Sequence, residues 1–186
     1  PAYRGKIPMV IKNTNNPKHP GTKIVLNHTD ENVKVVGIAG DSGFVSINTT
    51  KYLMNREVGF GRKLLQILED LNISWDHMPT GIDDLSVILR SKELTPIKEQ
   101  EILKHLIQDL QVDYAEIEHD LSIIMIVGEN MKNQIGVTAT ATKALSENNI
   151  NIQMISQGSS EVSIMFVVNQ EQEKQAIKAL YNVFFN

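Results

Sequence analysis

Residues 54–74, MNREVGFGRKLLQILEDLNIS, are repeated as MKNQIGVTATATKALSENNIN at residues 131–151. The two stretches lie 77 positions apart and align without a gap. Identical positions at this spacing include Met54 and Met131, Gly59 and Gly136, Asn72-Ile73 and Asn149-Ile150, Gly81 and Gly158, and Ser86 and Ser163. A repeat of this length exceeds the roughly 20–50 residues of a solenoid unit. The sequence therefore predicts two tandem copies of one small domain.

Each copy has apolar residues in the order strand, helix, strand, strand, helix. In the first copy we expect strands at residues 33–38, 44–47, 73–75, 85–89 and 112–117, and helices around 60–71 and from Thr95-Pro96 to Leu110. In the second copy we expect strands at 121–127, 152–155 and 161–168, a helix around 137–145, and a last helix that Asn169 and Gln172 introduce. This order is the ferredoxin-like split βαβ pattern. The predicted fold class is α+β: two ferredoxin-like (βαββαβ) domains with antiparallel sheets and helices on one face.

The first 32 residues belong to neither copy. Strand-like residues at 7–11 and 22–26 flank a polar, proline-punctuated turn at 13–21. We therefore expect a connecting segment at 1–32, a first domain at 33–117 and a second at 118–186. The sequence leaves open whether strands are exchanged between the copies. The chain does not begin with Met, and we expect it to be a piece of a longer protein.

Composition and motifs exclude several classes of function. A net charge of −4 and an aromatic content of 5% argue against a nucleic-acid surface. No apolar run approaches the roughly 18 residues of a membrane span, so no membrane partner is expected. Phosphate-loop, H-E-x-x-H and G-x-S-x-G motifs are absent from the sequence, and the five histidines lack metal-ligand spacing. We expect neither catalytic residues nor a metal site in this chain.

The loop before the first helix is the best candidate for a binding site. Residues 54–61 join a strand to a helix start, where unpaired N–H groups suit a carboxylate. Gly59 lets the backbone approach a ligand closely, or it simply permits a tight turn. An α-amino acid fits this loop if its amine or side-chain ammonium lies near Asp76 or Glu57. Asp83 and Asp84 could also contact such a ligand, or they are ordinary solvated turn residues. The second copy has the uncharged Gln153 where the first has Asp76.

Three stretches make the chain resemble the paired ACT domains at the regulatory C-terminus of aspartate kinase. Residues 11–22 are similar to the segment that joins the kinase and regulatory parts of that family. Residues 54–70 resemble the first effector loop and helix, and residues 148–163 resemble the signature of the second copy. The resemblance covers the whole chain but only the regulatory part of the enzyme.

The resemblance implies a function for the parent protein. It would phosphorylate the β-carboxylate of aspartate with ATP, towards lysine, threonine and methionine. ATP and Mg²⁺ would bind a kinase domain outside this chain, so no cofactor and no activity are expected here. By the resemblance, the protein would be cytoplasmic, would form homodimers through its ACT sheets, and would bind amino-acid effectors at the seam. A stand-alone amino-acid-sensing or structural dimerisation module is the alternative.

Carried over by position, the effector-binding residues would be Met54, Glu57, Gly59, Phe60, Gly61, Asp76, Thr80 and Gly81, with Thr138, Asn151 and Ile152 from the second copy. The sequence departs from the family at Gly61-Arg62, where relatives often have small or apolar residues, and in its acidic turn at 80–84. We expect lysine as the effector, because the acids suit a second ammonium, and threonine as the next candidate.

Overall fold

The computed structural model describes residues 5–24 and 34–186 of the chain. The strands in these ranges are β1 (Met9–Ile11), β2 (Thr22–Ile24), β3 (Gly37–Thr50), β4 (Asp84–Arg90), β5 (Tyr114–Val127), β6 (Met154–Gln157) and β7 (Ser163–Asn169). The α-helices are α1 (Phe60–Asp70), α2 (Pro96–Gln108), α3 (Val137–Glu147) and α4 (Glu173–Phe185). Within the described ranges, no helix has the length and apolar character needed to cross a membrane.

The helices repeat with the spacing of the sequence. Helix α3 begins 77 residues after α1 (137 − 60 = 77), and α4 begins 77 residues after α2 (173 − 96 = 77). Both pairs have equal lengths, 11 and 13 residues. The predicted α+β class with antiparallel sheets and helices on one face is confirmed.

One antiparallel sheet runs through both copies, in the order β4-β3-β5-β7-β6. Its central strands, β3 and β5, have 14 residues each and pair from Thr50 opposite Tyr114 to Gly37 opposite Val127. The prediction of separate strands at 33–38 and 44–47, and at 112–117 and 121–127, was wrong. The expected breaks fall at the polar residues 40–43 and 118–120, where the ladder in fact continues, with register shifts between Ser42 and Ser46.

The two cores share their strands across the sequence repeat. Val35 is 3% exposed and lies in the second core, which Ile38 also contacts. Ala115 and Ile117, from the start of β5, pack against the first core. The expected boundary between residues 117 and 118 falls inside β5. One half of each long strand packs in the first core, and the other half packs in the second.

Helices α1 and α2 cover the first core, and α3 and α4 cover the second. A third cluster, Phe44, Ile88, Leu121, Ile123 and Val167, contains residues of four neighbouring strands. Four strand spacings would separate β4 from β6 by about 19 Å in a flat sheet. Yet one cavity is lined by Ile88 of β4 and by Met154 of β6. The sheet is therefore curled, and this cavity lies between the two copies.

Capping residues in the sequence predicted the starts of helical segments correctly, whereas the apolar pattern predicted short strands less well. The Thr95 side chain accepts a hydrogen bond from the Lys98 amide at 3.4 Å, with proline at the first helical position. Asn169 accepts one from the Glu171 amide at 2.9 Å and caps the short 3-10 turn before α4.

The predicted strand at 73–75 was wrong. The following residues pair irregularly with β4, through the isolated bridges His77 with Ile88 and Thr80 with Leu85. The strand expected at 152–155 occurs at Met154–Gln157. Strands β1 and β2 form a separate hairpin with exposed residues. Residues 25 and 26 of the expected second strand lie outside the described residues.

Candidate functional site

The predicted binding loop of the first copy ends in an uncapped helix start. A 3-10 turn at Met54–Arg56 leads to Gly59, whose φ is +81°, and α1 begins at the next residue. Gly136 stands before α3 with φ +92°. Neither helix has a side-chain cap at its first turn. The partial positive charge of these helix starts is therefore not neutralised by a capping side chain.

A cavity of about 300 Å³ opens beside this loop. It is lined by Met54, Glu57, Gly59, Phe60, Gly61, Met78, Thr80 and Leu85. Six of these residues were predicted from the sequence, whereas Met78 and Leu85 were not. Met78 alternates with Thr80 in the extended segment beside β4, so the two-residue period of an extended chain could have indicated it.

Asp76 and Gly81 do not line this cavity. The carboxylate of Asp76 lies 3.9 Å from Nε of Arg90, whose Nη2 is 2.7 Å from Asp41. Gly81 lines the cavity of about 280 Å³ between the two copies, which Glu118 and Gln153 also line.

Thr80 borders both cavities. The segment around Thr80 is thus a shared wall between the first-copy cavity and the space between the copies.

Lysine side chains engage the Glu57 carboxylate. Its two oxygens lie 2.6 Å from Nζ of Lys51 and 2.6 Å from Nζ of Lys63. The hydrogen bonds from Lys51 and Lys63 lower the pKa of the Glu57 carboxyl below its usual value. Lys51 also donates to the Leu110 carbonyl at 2.6 Å and lies 5.7 Å from the Phe60 ring centroid. Glu57 is therefore a negative charge held beside the cavity between two positive ones.

Asp83 stabilises the loop through hydrogen bonds to its backbone. Its Oδ1 accepts a hydrogen bond from the Leu53 amide at 2.9 Å, and its carbonyl accepts one from the Lys51 amide at 2.8 Å. The Asp83 side chain therefore holds the start of the 3-10 turn. The acidic turn at 80–84 includes at least one acid with this structural role.

The second copy has a separate cavity of about 460 Å³ beside its own loop. Thr138 lines it, and the Thr138 hydroxyl donates to Oε1 of Gln157 at 3.5 Å. Asn151 and Ile152 do not line this cavity: Asn151 is exposed and Ile152 packs against the second core. Within one chain, the predicted residues of the two copies therefore lie at different cavities.

The comparisons with known proteins agree with this architecture. Residues 124–184 match the ACT domain family. Aspartokinase 3 of Bacillus subtilis is 51% identical over 185 residues, which cover 100% of this chain and 41% of that protein. The crystal structure of Clostridium acetobutylicum aspartate kinase superposes with a TM-score of 0.91 at 37% identity, covering 98% of this chain and 42% of that one.

A third relative shares the fold at lower identity. The crystal structure of E. coli aspartokinase III in complex with lysine and aspartate (T-state) has a TM-score of 0.76 at 22% identity. It covers 100% of this chain and 40% of that one. The chain spans about two fifths of the length of these relatives. It therefore belongs with the ACT-domain regulatory regions of the aspartokinase family.

Proposed function

We propose that this chain binds an end-product amino acid and thereby inhibits an attached aspartate kinase. The observation that carries the proposal is the uncapped start of α1 beside a cavity of about 300 Å³. The carboxylate of an amino acid suits these amides. Its apolar atoms suit the Met54, Met78 and Leu85 side chains.

Lysine is the effector we propose first, and threonine second. The E. coli aspartokinase III structure contains lysine and aspartate, which motivates the choice. Asp76 is loosely held, with its side chain 41% exposed and 3.9 Å from Arg90. Asp76 precedes Met78 and Thr80, which line the cavity, and its carboxylate is the proposed partner of a second ammonium.

A homodimer through the ACT sheets completes the proposed site. Val58 and Ile135 occupy the same position of the two repeats and are 94% and 95% exposed. Aliphatic side chains at the rim of both loops would lose contact with water if a second copy covered them. Strand β6, at the edge of the sheet, leaves backbone groups available for pairing with another chain.

The parent protein is proposed to be a cytoplasmic enzyme that phosphorylates aspartate with ATP. ATP and Mg²⁺ would bind outside this chain, which would have no activity alone. The mechanism we propose is linkage: the effector binds one arrangement of the dimer better than another, and the kinase part responds to that difference. Couplings of this kind are typically about 1–3 kcal/mol.

Calorimetric titration of the purified chain with lysine and with threonine tests the proposal. We expect heat with at least one amino acid, and weaker binding by about three- to tenfold in Thr80→Val, which loses one hydroxyl at the cavity. The same change at Thr22, in the hairpin, is the control and should leave affinity unaltered. If the folded wild-type chain gives no heat with either amino acid, the effector proposal is wrong.

A further inference from the structure

The first-copy loop carries charges that the second-copy loop lacks. Lys51 follows β3, Glu57 follows the 3-10 turn, and Lys63 lies in the first turn of α1. At the corresponding positions, 77 residues later, the second copy has Gly128, Gln134 and Thr140. The backbone path is repeated, but the charge set is not.

Helix α1 starts with an unfavourable distribution of charge. Its first turn contains Arg62 and Lys63 and no acidic residue. Cations at a helix N-terminus are disfavoured by the helix dipole. A Cβ placed on Gly59 would lie 4.0 Å from Nε of Arg62, so this second cation is also close to the loop. An acid from elsewhere in the chain would offset these cations.

Glu57 supplies that acid. Its carboxylate lies 2.6 Å from Lys51 and 2.6 Å from Lys63, and the same side chain lines the first-copy cavity. Without Glu57, the cations Lys51, Arg62 and Lys63 would lie beside cavity residues with no described acid paired to them there. That surplus of positive charge would repel a ligand with a net positive charge more than a neutral one.

We infer that Glu57 determines which net charge the first-copy cavity accepts, by offsetting the cations of its loop so that a cationic amino acid can enter. The inference rests on the proposed function, because it concerns the same cavity. The Glu57 carboxylate selects through its charge and through the lysines it positions. Affinity for a neutral amino acid should depend on it much less.

The test measures two affinities in each variant of the full chain. Lysine carries one more positive charge than threonine, so the ratio of their affinities reports the charge preference of the cavity. In Glu57→Gln we expect the lysine-to-threonine ratio to fall about three- to tenfold. In Lys63→Gln, which leaves Glu57 only one lysine partner, the ratio should rise. Glu57→Asp keeps the charge and should restore most of the wild-type ratio.

Three further measurements separate selectivity from a general loss of structure. Glu147→Gln removes a carboxylate from the exposed pair with Lys143, 3.7 Å away on α3, and should not change the ratio. Raising the salt concentration should shrink the effect of Glu57→Gln, because exposed charges are screened. Thermal unfolding of each variant shows whether it folds. If Glu57 has a purely structural role, Glu57→Gln should weaken the binding of lysine and of threonine equally.

The outcomes distinguish this inference from the proposed function. If wild-type chain binds neither amino acid, both fail. If it binds lysine and threonine but Glu57→Gln and Lys63→Gln leave the ratio unchanged, only the inference is overturned. If wild-type chain binds threonine and rejects lysine, amino-acid binding stands and the inference is wrong. A lower lysine-to-threonine affinity ratio in Glu57→Gln and a higher one in Lys63→Gln would support the inference.

Discussion

Gly59 and Gly136 are matched in the repeat because of their backbone angles. Both have positive φ, a region that side chains with a Cβ rarely adopt. A Cβ at Gly136 would meet no atom within 4 Å, so the restriction comes from the backbone and not from a lack of space. The turn alone therefore accounts for the glycine. The uncapped amides at the start of α1 and the adjacent cavity are the features that favour a ligand.

A second residue-level contact makes a prediction about pH. Oε2 of Glu93 accepts hydrogen bonds from the Ser74 amide at 2.9 Å and from the Ser74 hydroxyl at 2.7 Å. The two bonds from Ser74 lower the pKa of the Glu93 carboxyl. A carboxyl with a depressed pKa contributes stability above its unfolded pKa of about 4.3. That contribution is lost as the pH falls through the folded pKa.

NMR titration of the Glu93 carboxyl should therefore give a midpoint below the ordinary glutamate value. Ser74→Ala removes the hydroxyl donor and keeps the amide, so the midpoint should move part of the way back. Stability of this variant should depend less on pH between the folded and unfolded pKa values. An unshifted Glu93 in the wild-type chain would contradict the contact.

At the scale of elements, the repeated Asn-Ile pairs end helices. Asn72 and Asn149 have φ of +50° and +56° just after α1 and α3. The next residues donate back across the last turn, Ile73 to the Leu68 carbonyl at 2.9 Å and Ile150 to the Leu145 carbonyl at 3.0 Å. Asparagine tolerates the left-handed conformation, and a buried apolar residue commonly follows it. This part of the repeated signature is explained by the helix end, without a ligand.

Substitutions at Asn149 test this explanation. Asn149→Gly should leave stability unchanged or raise it slightly, because glycine adopts positive φ without strain. Asn149→Val should destabilise the chain by about 1–2 kcal/mol, the cost of a left-handed residue with a bulky Cβ. Urea unfolding measures the free energy of unfolding of both variants, and the destabilisation should be seen in the unfolding of helix α3. Equal stability of the two variants would show that the backbone angle does not matter.

Helices were predictable from this sequence, and strand boundaries were not. The apolar stripe of Phe60, Leu64 and Leu68 is specific to a helix, and all three residues are buried in the first core. Strands depend on partners that are distant in sequence. Ser42 and Ser122 pair across the sheet, and no local pattern contains that information. The loop side of the cavity was predicted from the repeated glycine and from the family resemblance. Met78 was missed, although its alternation with Thr80 in the segment beside β4 could have indicated it.

At the scale of the whole molecule, the N-terminal part of β3 serves the second copy. Residues 37–42 pair with residues 122–127 of β5, and Val35 is buried in the second core. The sequence order of the copies could not show this, because residues 37–42 come before the first-copy helices in the chain but pair with a strand half that serves the second copy. The two copies are consequently tied together by backbone hydrogen bonds and not only by side-chain packing.

Residues 5–24 have a different relation to the rest of the chain. Their hairpin pairs only within itself, β1 with β2, and none of its described residues belongs to any of the three cores. Several of its apolar side chains are exposed, including Ile7 at 62% and Ile11 at 61%. We therefore expect the hairpin to contribute little to the stability of the two copies.

Two deletions separate these roles. A shortened chain that begins at residue 33 keeps Val35 and all of β3, so its melting temperature should stay within about 3 °C of the full chain. A chain that begins at residue 44 loses Val35, Ile38 and six paired positions of β3. The loss of the buried Val35 and the partly buried Ile38, together with the strand pairing, costs about 4 kcal/mol or more, equivalent to roughly 10 °C for a domain of this size. Because the lost residues belong to the second core, hydrogen exchange should increase in β7 and α4 more than in β4 and α2. Equal melting temperatures for the two shortened chains would mean that β3 does not stabilise the second copy.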